Sequence, residues 1–220
     1  MSAHSAKINK SASGNLRQQV YEQIKYDIIS CKIAPGQPIS EGQFVERFQV
    51  SKTPIREALT SLQQDHLVEY IPNRGFSAAN ISFKDIQEIY EARIFFEAVL
   101  IKLAVKHITD AEIDKLENYA SIQYDWNDPA SIDAYLQANI DFHLDLARAA
   151  RNNRLFWHYR TLLNEAQRLI YMDFNSTNVI PIWSVSHKRF TDALRCRDES
   201  AGAQAIEETL ENAKKRLLNS

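Results

Sequence analysis

Residues 50–59 read VSKTPIREAL, and four of their side chains are suited to holding an anion or a base edge. Ser51, Lys52, Thr53 and Arg56 occupy the first turn and a half of a helix whose apolar stripe is Ile55, Ala58, Leu59 and Leu62. Hydroxyls and free backbone amides at a helix start bond phosphate oxygens, lysine adds a point charge, and arginine can grip two acceptors at once. Thr53 and Arg56 are three residues apart and share one face. Arginine there can take the two acceptors of a guanine edge, while Lys52 and Ser51 suit backbone phosphates. The same residue types also occur as caps and solvated surface on any helix. Ser51 in particular is placed to cap the helix by accepting a backbone N–H. Pro54 falls in the first turn, where a missing N–H costs little.

A second set lies later in the chain. In NIDFHLDLARAARNNRL, Asn139 and His143 are four apart on one helical face, with Leu136, Ile140, Leu144 and Ala147 on or beside it. Asp141, Asp145 and Arg148 lean away from it. Two polar groups therefore point into apolar surroundings, at about 1–3 kcal/mol each if unpaired. A partner side chain, a water, a metal or a ligand has to satisfy them. His187, beside Phe190, Ala193 and Leu194, is either a second inward imidazole or a hydrogen-bonded core residue. Arg93 and Arg168 can each grip an anionic ligand or sit in a structural ion pair, Arg93 with Glu97 four residues on. The aromatic residues Trp126, Phe156, Trp157, Tyr159 and Trp183 are expected in the core or an interface.

The elements that position these groups follow from periodicity and punctuation. Leu16, Val20, Ile24, Ile28 and Ile29 predict a helix over 16–32, ended by Pro35 and Gly36. A short helix over 41–48 follows, then the tight link Gln49-Val50 and a third helix from Lys52. LVEYI, PNRG and FSAA predict a hairpin, with Arg74 and Gly75 at its turn. The order helix, helix, tight turn, helix, hairpin is that of a winged helix-turn-helix domain, in which Arg74 reaches a minor groove or a phosphate. Capping boxes at Ser82/Asp85 and Thr109/Glu112 and the Asp128-Pro129 start open helices over 83–107, 110–126 and 129–150. Three more are predicted over 153–174, 180–196 and 199–218. The expected fold is mainly α: a polar disordered tail over 1–15, a winged helix-turn-helix over 16–79, and a six-helix all-α bundle over 80–220.

The totals are consistent with this layout but do not identify a partner. The chain has 220 residues and a formal charge of −2, so any contact with nucleic acid must come from local placement. Residues 1–75 carry nine Lys/Arg against seven Asp/Glu, and the rest carries 17 against 21. No apolar run has the length of a membrane span, and the polar N-terminus is not a secretory signal. Cys31 and Cys196 have no metal or redox spacing and read as buried free thiols of a reducing cytoplasm.

The stretch VSKTPIREALTSLQQDHLVEY, with a hairpin ending Arg-Gly, resembles the N-terminal domain of the GntR family of bacterial transcription regulators. The remainder resembles the all-α FCD effector domain of its FadR subfamily, in the six-helix VanR-like branch. Two departures stand out: His66 occupies the place of a glycine before Leu67, and Gly42 the place of a DNA-contacting arginine. The resemblance implies a cytoplasmic homodimer, a repressor above all, on a pseudo-palindromic operator of double-stranded DNA. A small organic acid in the bundle would be its effector. DNA contact falls to Ser51, Lys52, Thr53, Arg56, Arg74 and Gly75. The effector pocket falls to Arg93, Asn139, His143, Arg168, His187 and Thr209. Metal-binding FCD domains use an Asp or Asn, a His four residues on, and two later His. Asn139, His143 and His187 match the first three positions, and Thr209 stands at the fourth. The set is an incomplete site for a divalent ion such as Zn or Ni, to be completed by water or effector, or else a metal-free polar pocket. Adjacent Glu208 lies about 100° round the helix and is not a substitute. Two other functions are a metal-dependent enzyme using His143 and a helical interaction protein that binds no DNA. Against an enzyme, no nucleophile–base pair, oxyanion loop or cofactor fingerprint is present.

Overall fold

A computed structural model describes residues 13–125, 127–177 and 182–219, with the side chains of 13–15, 129, 175–177 and 182–185 left out. The expected tail over 1–12, Trp126 and the side chain of Trp183 lie outside the described residues. The chain divides into two units between Ile81 and Ser82.

In the first unit, α1 (Ser13–Ile29), α2 (Glu41–Phe48) and α3 (Lys52–Gln64) pack around an apolar core. Val20, Ile24 and Ile28 of α1 meet Ile55, Leu59 and Leu62 of α3, all fully buried. Each such side chain contributes about 1.5–3 kcal/mol by leaving water. α1 stops three residues before the predicted end because Cys31 turns left-handed, with φ 58°. Cys31 is half-buried and Cys196 exposed, so neither is the buried thiol expected; each sits just past a helix end rather than on an apolar face.

The hairpin forms as predicted. β2 (Val68–Ile71) pairs antiparallel with β3 (Gly75–Ala78) in the register Val68↔Ala78 and Ile71↔Gly75. Asn73 and Gly75 take the positive φ values of the turn, 64° and 84°. A third strand, β1 (Pro38–Ile39), pairs with β3 to give the order β1-β3-β2. Two residues, one of them proline, carry no periodic signal, and sequence reasoning missed this strand.

His66 adopts φ 58°, the left-handed value that a glycine takes most easily. Its N–H donates to Gln63 O and that of Leu67 to Leu62 O, so a Schellman motif closes α3 without glycine.

The second unit contains α4 (Phe83–His107), α5 (Asp110–Ser121), α6 (Pro129–Ala149), α7 (Asn153–Thr177), α8 (Ile182–Arg195) and α9 (Glu199–Leu218). Both predicted capping boxes form, and Asp128 and Asp198 cap α6 and α9. α5 ends five residues earlier than predicted. Tyr124 packs instead on Tyr135 of α6 and Phe174 of α7, at ring distances of 4.7 and 5.3 Å, and this draws the chain off the helix. Gly202 allows α9 to approach α4 closely, since a Cβ there would lie 2.7 Å from Ile101 Cδ1. Among the described residues no helix is long and apolar enough to cross a membrane.

Candidate nucleic-acid interface and helical-bundle cavity

α3 enters from a tight link in which Gln49 takes φ 54°. Ser51 occupies the N-cap but makes no side-chain capping bond, contrary to the expectation. Pro54, third in the helix, has no N–H and so removes one of the two usual capping partners. The Ser51 hydroxyl is left exposed, as are Lys52, Thr53, Arg56 and, on the hairpin turn, Arg74; Gly75 is half-buried. Nothing among the described residues takes a hydrogen bond or ion pair from the side chains of Lys52, Thr53 or Arg74. Arg56 has one partner: its Nε donates to Glu41 Oε1 and Oε2 at 2.9 and 3.1 Å. An unengaged ammonium, hydroxyl and guanidinium end thus stand beside the free amides of a helix N-terminus, a surface that can bond phosphate and base edges. Gly42 is exposed and offers no side chain.

The bundle encloses a cavity of about 30 Å³. α4 lines it with Tyr90 and Arg93, α6 with Asn139 and His143, and α8 with Ser186, His187 and Phe190. α7 adds Ile170 and Asp173, and α9 adds Thr209, Leu210, Ala213 and Arg216. Five of the six pocket residues expected from sequence meet here. Arg168 does not: it is buried on α7 but outside the lining.

Beneath Arg93 lies Glu97, 1% exposed. Its Oε1 accepts from Arg93 Nε and from the Tyr159 hydroxyl, both at 2.9 Å. His143 Nδ1 stands 3.2 Å from Oε2, off the line of a well-directed hydrogen bond. Burial opposes ionisation of Glu97, but Arg93, His143 and the Tyr159 hydrogen bond prevail and hold its carboxyl at about 2. Arg93 thus makes the structural ion pair with Glu97, and it also lines the cavity. Arg216 donates from Nε and a terminal nitrogen to the two oxygens of Asp173, at 3.1 and 2.7 Å. His187 stacks on Phe142 at 4.0 Å, and its ring centre is 5.3 Å from that of His143. Burial first, and His143 second, lower the His187 pKa well below 6.5, so its imidazole is neutral near pH 7. Sequence reasoning missed Tyr90, Asp173, Ser186 and Arg216. Asp173 and Arg216 are 43 residues apart, with no local pattern to join them.

The donors fall short of a metal centre. Thr209 gives its hydroxyl proton to Ala205 O at 2.7 Å and offers a neutral oxygen where an imidazole is needed. Asp173, the carboxylate on the lining, is held by Arg216. Glu208 is turned outward to Arg189. Among the described residues no three His, Cys, Asp or Glu side chains gather as an ion would require. Two imidazoles and an amide do not fit a Zn or Ni site, which takes four ligands, or three with a strong donor set.

A helix-turn-helix with an exposed basic helix start and a wing, joined to a helical bundle with a polar cavity, defines a ligand-responsive DNA-binding regulator. Residues 16–77 match the family described as bacterial regulatory proteins, gntR family, and residues 88–212 match the FCD domain. The chain belongs to the GntR family of transcription regulators and carries an FCD domain; it is not an enzyme. It is 28% identical over 197 residues to the HTH-type transcriptional repressor RspR of Escherichia coli K12, covering 89% of this chain and 86% of that one. It is 28% identical over 178 residues to the Nta operon transcriptional regulator of Aminobacter aminovorans, covering 81% and 83%. Among solved structures, a putative GntR regulator from Rhodococcus sp. RHA1 superposes with TM-score 0.74 at 22% identity, covering 93% of this chain and 98% of that one. McbR/YncC of E. coli superposes with TM-score 0.78 at 17% identity, covering 92% and 97%.

Proposed function

We propose that the chain is a cytoplasmic repressor that binds a pseudo-palindromic operator as a homodimer and is modulated by a small organic acid in the bundle cavity. The observation that carries the DNA half is the exposed group Lys52, Thr53 and Arg56 at the start of α3, with Arg74 on the wing. Arg56 and Thr53 read base edges in the major groove. Lys52 and Ser51 hold phosphates, while Arg74 and Gly75 bring the wing to the backbone or minor groove. Repressor action is suggested by the relative described as one.

Arg93, Asn139, His143, His187 and Thr209 form the effector site, while Arg168 is buried outside the lining. The lining is rich in hydrogen-bond donors, which suits an acidic group. A cavity of about 30 Å³ has room for roughly two waters. On this reading an organic effector enters by parting the helices around it. A ligand shifts a regulator only by its difference in affinity between two states, and this opening supplies such a difference.

Titration of duplex binding against salt, with Arg56→Ala and Lys52→Ala, tests the reading. Arg56→Ala should cost about 1–3 kcal/mol and relax preference at one base position. Lys52→Ala should weaken all sequences alike and reduce the salt slope by about one. Equal behaviour of the two variants on matched and mismatched duplexes would refute the assigned roles. His143→Ala should leave effector-free DNA affinity unchanged and blunt the effector response.

A further inference from the structure

Glu41 stands at the first position of α2, across the tight turn from α3, and its carboxylate is turned onto Arg56. Both its oxygens lie within 3.1 Å of the arginine Nε. The Glu41 side chain is 19% exposed and that of Arg56 is 68% exposed. The anchored end of the guanidinium is thus sheltered and its terminal nitrogens are open. As a stabilising contact the pair is minor, because an ion pair this exposed is largely screened by solvent. Its geometry is more consequential. A guanidinium can meet the two acceptors of guanine side-on, through Nε and one terminal nitrogen, or end-on, through both terminal nitrogens. With Nε occupied by Glu41, only the end-on approach remains.

We infer that Glu41 is a positioning residue for base recognition. It holds the Arg56 fork in one orientation before DNA arrives and restricts it to an end-on contact with guanine. The inference rests on the reading of Arg56 as a base-contacting residue. It also makes a prediction opposite in sign to simple electrostatics. A carboxylate next to a DNA-facing surface repels phosphate, so its removal should tighten binding to any duplex. If Glu41 preorganises Arg56, its removal instead weakens the specific duplex, by the cost of ordering one long side chain, a factor of about 2–12.

The test uses the full chain with the duplex that the wild-type protein enriches from a randomised pool. A scrambled duplex and the enriched duplex with each guanine replaced in turn serve as controls. Glu41→Ala should lose about 2–12-fold on the enriched duplex and lose none on the scrambled one. Glu41→Gln, which keeps an acceptor oxygen, should fall between. In an Arg56→Ala background, Glu41→Ala should have no further effect on discrimination, and circular dichroism should match the parent. Tighter binding of Glu41→Ala to both duplexes overturns the inference. So does an equal loss with and without Arg56. If Arg56→Ala itself keeps full guanine discrimination, the base-contact reading of Arg56 fails first, and the role of Glu41 falls with it.

Discussion

Glu97→Gln isolates the buried charge network under the cavity. The substitution keeps volume and an acceptor for the Tyr159 hydroxyl, but removes the negative charge opposite Arg93. Both members of that pair are nearly inaccessible, at 3% and 1% side-chain exposure, so water cannot replace the lost partner. Removing one member of a buried pair costs about 3–5 kcal/mol, because the other charge is left uncompensated. Titration leads to a similar figure. A carboxyl lowered from 4.5 to about 2 contributes roughly 3 kcal/mol at neutral pH. Its folded value is depressed, so this contribution is present above about pH 4.5 and is lost as pH falls toward 2. Urea unfolding followed by tryptophan fluorescence is the appropriate assay, because Trp126, Trp157 and Trp183 all lie in the second unit. Glu97→Gln should lose about 3–5 kcal/mol near pH 7 and should no longer lose stability between pH 4.5 and 2 through this group. The double change Arg93→Met with Glu97→Leu should recover most of the loss, since an apolar pair of similar volume carries no desolvation cost. A loss below about 1 kcal/mol in the single variant, or a double variant as unstable as the sum of both singles, would refute the account.

Three further outcomes are expected. The lowered pKa of His187 means the unfolded chain takes up a proton first as pH falls below 6.5, so stability should decline from there. His187→Phe should remove that decline, as read from unfolding midpoints at pH 7 and pH 5.5. Thr209→His should create the missing ligand beside His143 and His187, so native mass spectrometry after exposure to Zn or Ni should find one ion per chain in the variant and none in the wild type. A stoichiometric ion in the wild type would overturn the metal-free reading. His66→Gly should relieve a left-handed residue and stabilise the first unit by about 0.5–1 kcal/mol, seen as a raised melting temperature.

Much of the fold was legible because its signals are short-range. The boxes at Ser82/Asp85 and Thr109/Glu112 each lie within three residues, and the helices open where they say. The stripe Ile55, Ala58, Leu59 and Leu62 left Lys52, Thr53 and Arg56 on the outer face by helical period alone. Trp157 and Tyr159 show what the default assignment leaves open. An aromatic expected in core or interface is 57% exposed in this chain, while Tyr159, two residues on, is fully buried against Glu97. Periodicity separates those two faces but does not say which one meets α4.

The sequence by itself determined where helices start and stop, which faces are apolar, and that a basic helix start and a wing belong to one small domain. These follow from interactions within one or two turns of chain, where the partners are already neighbours. Only the tertiary structure decided that Glu97 lies under His143, that Arg216 neutralises Asp173, that Arg168 stays outside the cavity, and that Glu41 holds Arg56. Those pairs are 15 to 46 residues apart, and many alternatives satisfy the same charges on paper. Packing of whole helices selects among them, because a buried charge is tolerated only where the fold brings its partner within hydrogen-bonding reach.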